Sequence, residues 1–233
     1  MSLTLSKFVA LTLCVCFALL PATLPAQNQA TSPSRIPGAK PSPSISTPKF
    51  TDQQVQEMIS KVQDRVRNAS DQVMGRIQKE ESQLYIKFLY FNKPDRLDPN
   101  TYSSKEDIAL WQQSLQQLRE KEGTLEKLYA EADQDLGNAL IQQGVNPEIS
   151  EQIKNELLKT FPWETIRNKN HSIQEFIVEH GDLLAFYNQN WATWKPGTAT
   201  FDDQKLTATY KKLKEKIIAT GLQIEGKYKT MLQ

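Results

Sequence analysis

Cysteine is nearly absent from this 233-residue chain: there are two, Cys14 and Cys16, both inside its first apolar run. A disulfide-stapled fold is excluded, as is a catalytic thiol beyond that run, so packing must hold the rest together. Glycine is also scarce, with nine residues and no cluster of them, and no phosphate-cradling loop is written here. The two histidines, His171 and His180, complete neither a Glu-x-x-His pair nor a His-Glu-x-x-His pattern. No metal site and no cofactor are therefore expected. Nor does either sign of charge dominate, since 28 Lys and Arg face 27 Asp and Glu. No general field draws in nucleic acid, which is not expected as a partner. With no Gly-x-Ser-x-Gly turn and no strand to mount one, the expectation is a protein without enzymatic activity and without catalytic residues.

What is present begins with an address. Lys7 is followed by an apolar run from Phe8 to Leu20 that Pro21 closes, the pattern of a secretory signal peptide over residues 1–26 with cleavage after Ala26. The run is short of the ~20 residues a membrane span requires. A secreted or periplasmic chain with no stable membrane insertion is expected, an anchor retained through an uncleaved leader being the alternative. Loss of the leader removes Lys7 and both cysteines, which leaves the remaining bases and acids in balance. Residues 27–49 carry prolines at 33, 37, 41, 43 and 48 among Ser, Thr and Ala, and read as a disordered, extended linker.

From Phe50 to the C-terminus the pattern is helical, and the fold class expected is all-α: an antiparallel elongated helical bundle of about four arms. Thr51 and Gln54 form a capping box, after which Val55, Ile59, Val62, Val66, Ala69, Val73, Ile77, Leu84, Phe88 and Phe91 mark one stripe. A second start at Ser103 leads into Ile108, Trp111, Leu115, Leu118, Glu122, Leu125, Tyr129, Ala132, Leu136 and Ala139, spaced alternately three and four. This regularity predicts coiled-coil-like packing of a long helical hairpin, with Gly144, Asn146 and Pro147 ending one helix and starting the next. The third arm breaks at Pro162 and restarts at a cap made by Ser172 and Glu175. A last helix opens at Phe201 and Asp202, carrying Leu206, Tyr210, Leu213, Ile217, Ile224 and Met231. Residues 94–143 are acidic and residues 201–233 basic, which predicts that those two arms are neighbours. The heptad faces also permit a homodimer.

The strongest functional signal is aromatic. Tyr85, Phe88, Tyr90 and Phe91 crowd the end of the first helix, and half of the remaining rings lie on the broken arm and its exit. If both groups meet at one pole they line a cleft for a ligand or a protein partner, with Tyr85, Phe88, Phe91, Trp163, His180, Tyr187, Trp191 and Trp194 as contact candidates. Asn68 and Asn170 each open an Asn-x-Ser triplet and are candidate glycan acceptors. Phe50-Thr51-Asp52-Gln53-Gln54 resembles, over five residues, the Leu-Thr-x-x-Gln motif of small helical periplasmic chaperones of the Spy and CpxP type. That resemblance implies a holdase-like activity toward exposed apolar segments. The functional expectation is a structural or protein-interaction module, with ligand binding in the aromatic cleft and the holdase as alternatives.

Overall fold

A computed structural model describes residues 51–231; the expected leader and linker lie outside those residues. Five α-helices pack together: α1 (Asp52–Phe91), α2 (Lys105–Gln142), α3 (Pro147–Lys159), α4 (Trp163–Gln189) and α5 (Gln204–Met231). No strand occurs among the described residues, and the all-α bundle expected from periodicity is what forms. The third arm is split, as Pro162 requires.

Local chemistry sets most of the helix ends. The Thr51 hydroxyl accepts from the Gln54 amide while Gln54 Oε1 accepts from the Thr51 amide, a complete capping box. At the far end of α2, Gly144 adopts φ +78°, a left-handed conformation in which glycine escapes the Cβ clash. Its amide reaches Ile141 O and the next amide, Val145, reaches Leu140 O, satisfying carbonyls the helix would leave bare. Asn146 then caps α3, with Pro147 in its first turn.

Two starts differ from expectation. The cap of α2 is Ser104, which accepts from the Asp107 amide, while Ser103 uses its hydroxyl to bind the Asp107 carboxylate. Ser172 caps nothing: α4 runs unbroken from Trp163, and the Ser172 hydroxyl donates to Asn168 O one turn back. Pro162 suffices as the break, so no second start is needed at Ser172.

The helices meet in an order that leaves α1 unevenly covered. α2 packs against α1, α3 and α4, and α5 packs against α4. Side chains close the ring between α5 and α1: Asn92 Nδ2 donates to Glu225 Oε1 at 2.7 Å, and Tyr228 lies against Tyr85 with ring centroids 4.4 Å apart. Here the Asn92 amide packs directly on Gly221, and a β-carbon at that position would meet Asn92 Oδ1 and force that side chain to shift. The second half of α1 thus sits in a four-helix head with α2, α4 and α5, while its middle packs on the part of α2 that α3 also covers.

Residues 52–65 project beyond the end of α2. Arg65 Nη1 donates to Gly144 O at 2.9 Å, which places the last turn of α2 beside Arg65. Every residue from 51 to 65 is at least partly exposed, with Val55, Met58 and Val62 at 41%, 54% and 37%. Of the first three positions of the expected buried stripe, Val55 and Val62 are therefore exposed and Ile59 half-buried, because α1 and α2, nearly equal at 40 and 38 residues, are staggered.

The expected pairing of acidic and basic arms is not what joins the molecule. The ion pairs of α2 run to α1 (Arg76–Asp135, Lys121–Glu80) and to α3 (Lys154–Asp133), and that of α5 runs to α4 (Lys216–Glu179). No ion pair links α2 and α5 among the described residues. Net charge summed over a helix says nothing about which face carries it.

Candidate functional site

The aromatic residues do not form one cleft. Phe88, Phe91, His180 and Tyr187 are 0–3% exposed and belong to the core of the head. Phe88 packs on Phe176 at 5.0 Å, and His180 is wedged between Phe176 and Phe91 at 4.3 and 5.7 Å. These four leave no face to a ligand: where helices of unequal length meet, large rings fill the irregular volume. Tyr85 is half-buried against Tyr228. Trp163 stacks on Phe161 at 5.2 Å and donates its indole N–H to Leu158 O at the α3–α4 break. Trp191 and Trp194 meet edge to face at 5.0 Å in the turn after α4, Trp194 also bridging in antiparallel fashion to Phe201. Ala192 between them has φ +63°, a strained conformation for a residue with a β-carbon.

His180 is neutral as packed. Burial pushes its pKa down to about 4, Nδ1 lies 3.2 Å from Phe176 O, and Nε2 has no partner. The neighbouring Glu179 turns the other way, toward Thr220 and Lys216, so the acidic residues around His180 do not converge on it. No group of three His, Cys, Asp or Glu side chains positioned to hold a metal occurs among the described residues. Asn170 is 8% exposed within α4 and its Oδ1 is unpartnered. That burial removes it as a glycan acceptor in the folded chain, whereas Asn68 is exposed on α1.

Two constellations were not anticipated. The first lies inside the head, where each of the four helices contributes one polar side chain. Glu81 of α1 pairs with Lys169 of α4 and accepts hydroxyl hydrogen bonds from Tyr129 of α2 at 2.7 Å and Tyr228 of α5 at 2.9 Å. Lys169 is fully buried, its ammonium 5.6 and 5.3 Å from the centroids of those tyrosine rings. Desolvation holds the Lys169 pKa below the ordinary lysine value, with Glu81 opposing it, and raises both tyrosine pKa values. The sequence did carry a signal: the α1 stripe skips seven residues from Ile77 to Leu84, the α5 stripe skips seven from Ile224 to Met231, and Glu81 and Tyr228 fill the gaps. Lys169 likewise continues the three-four spacing of Ile166, Ile173, Phe176 and His180.

The second is at the opposite end of α1 from the projecting segment. The loop after α1 holds two short 3-10 turns, Pro94–Leu97 and Pro99–Thr101. Tyrosine hydroxyls fix it: Tyr102 donates to Arg96 O, and Tyr187 and Tyr210 both donate to Leu97 O, at 3.0 and 2.6 Å. The Arg96 guanidinium lies 4.0 Å from the Trp111 ring centre and 5.0 Å from that of Tyr90, and those rings stack at 5.1 Å.

Fold and site together define an all-α helical-bundle protein with a polar clasp at its centre. No family model, no curated protein and no solved structure matches the chain. No helix among the described residues is long and apolar enough to cross a membrane.

Proposed function

We propose that this is a secreted or periplasmic interaction module, non-enzymatic, held on a Pro-rich tether and engaging a protein partner through the start of α1. The single observation that carries this reading is the uncovered stripe of Val55, Met58, Ile59 and Val62. An isolated helix of this length is marginal in water and gains stability by burying an apolar face. Spacings of three, four and seven suit an amphipathic helix of the partner, packed side by side as in a helical bundle. The export address of residues 1–26 and the linker before Thr51 support the same reading by placing this end of the helix next to the tether.

A photo-crosslinking residue at position 58, used in cells that express the full chain, tests it. One discrete adduct that disappears in a Val55→Glu, Val62→Glu variant of unchanged helicity supports the module. Adducts of every abundant neighbour in equal measure, or none, would remove it. The heptad seam of α2 is already occupied by α1 and α4 within the chain, so the homodimer alternative is one in which a second copy covers this same stripe. An adduct of twice the chain's mass identifies it.

A further inference from the structure

We propose that the Arg96 guanidinium, stacked on Trp111 and Tyr90 and joined by Lys93, is a binding site for the oxyanion of a small anionic ligand, separate from the α1 stripe. Four observations converge. First, the cation is held in advance: three tyrosine hydroxyls pin the carbonyls of Arg96 and Leu97, and the guanidinium lies close over the Trp111 face. Second, it lacks an anion. Arg96 forms no ion pair and no side-chain hydrogen bond among the described residues, and its Nε is buried without a partner. The two Nη atoms make no hydrogen bond among the described residues and Arg96 is only partly buried, which leaves without a partner the fork that grips an oxyanion in bidentate fashion.

Third, a second cation lies over the same Tyr90 ring. Lys93 is exposed, with its ammonium 5.6 Å from the Tyr90 ring centre, and is likewise unpaired among the described residues. The acids nearest in sequence form no ion pair with either cation: Asp98 accepts from the Asn100 amide groups, and Asp95 is in no ion pair among the described residues. Fourth, Tyr90 is 46% exposed, so a flat ligand that delivers its oxyanion to Arg96 has aromatic surface to touch at the rim of the Tyr90–Trp111 stack. The chemistry recognised is a carboxylate, phosphate or sulfate oxyanion, with added affinity when it carries a planar group.

The test is a titration of the full chain by nuclear magnetic resonance at constant ionic strength, following the indole N–H of Trp111 and the Nε–H of Arg96. The probes are sodium acetate, benzoate, inorganic phosphate and sulfate, with chloride as reference. Saturable shifts confined to these two signals and their neighbours are expected, with benzoate about fivefold or more tighter than acetate through aromatic contact with Tyr90. Arg96→Gln should weaken binding about tenfold or more. Because Arg96 also packs on Trp111, Lys93→Gln and Arg96→Lys are tested beside it. The first removes only an exposed charge and should weaken every anion, and the second keeps the charge but loses the bidentate fork. Saturation by phosphate or sulfate alone retains the site and assigns it to that oxyanion. Shifts that follow chloride equally, or survive both Arg96→Gln and Lys93→Gln, would overturn the proposal.

Discussion

One helix, α1, lives in two environments. Around Glu81 it is enclosed by α2, α4 and α5, each of which sends a polar or aromatic side chain to meet it. Around Val55 it faces solvent on all sides. Both stretches show the same apolar periodicity, so periodicity reports which face of a helix seeks burial but not whether anything covers it. What distinguishes them is stagger: α2 is offset along α1 and ends beside Arg65, and no other described helix extends farther.

Breaking the clasp should have the largest effect. Lys169→Met strands the Glu81 carboxylate in the head, and removing one partner of a buried pair costs about 3–5 kcal/mol. Urea unfolding should show that loss, while Glu81→Leu combined with Lys169→Met should recover much of it. If the single and double variants are equally destabilised, the clasp is not acting as a unit.

The next largest effect is on acidification. His180 has a native pKa of about 4, against an unfolded value of about 6.5. The unfolded state therefore binds the extra proton first as pH falls. The stability that neutral His180 allows is complete above about pH 6.5 and is lost progressively down to about pH 4, on the order of 3 kcal/mol in all. Unfolding at pH 7 and pH 4.5 in the wild type and in His180→Asn should show a smaller pH dependence in the variant. Equal slopes would mean that His180 is solvated.

A smaller loss is expected from Tyr228→Phe, which removes one hydroxyl bond to Glu81 and leaves the ring, at about 1.5–3 kcal/mol. Smallest of all is Val62→Glu in the projecting segment, within about 0.5 kcal/mol of wild type in the isolated chain. A large loss there would show that the stripe is covered in solution.

The architecture was legible because Thr51, Gly144, Asn146 and Pro147 each impose a conformation locally, and because long stripes at helical spacing have few alternatives. Ser172 misled because a Ser-x-x-Glu signature also occurs inside a helix, where the hydroxyl simply bonds one turn back. The aromatic residues were correctly seen to gather, but clustering in sequence does not say whether rings seal one another or line an opening. Phe88 and Tyr187 seal, whereas Tyr90 and Trp111 hold a cation at the surface. The clasp was visible only as gaps, since a stripe read as apolar residues passes over the polar positions that complete it. Which helix answers Glu81 depends on the register between helices, and one helix's pattern does not contain that.

Residue-resolved hydrogen exchange along α1 tests the central claim most directly. Amides from Ile77 to Phe91 should exchange only by global unfolding, whereas those from Val55 to Asp64 should exchange by local fraying, orders of magnitude faster. Uniform protection along the whole helix would contradict the division of α1 into an enclosed half and an uncovered start.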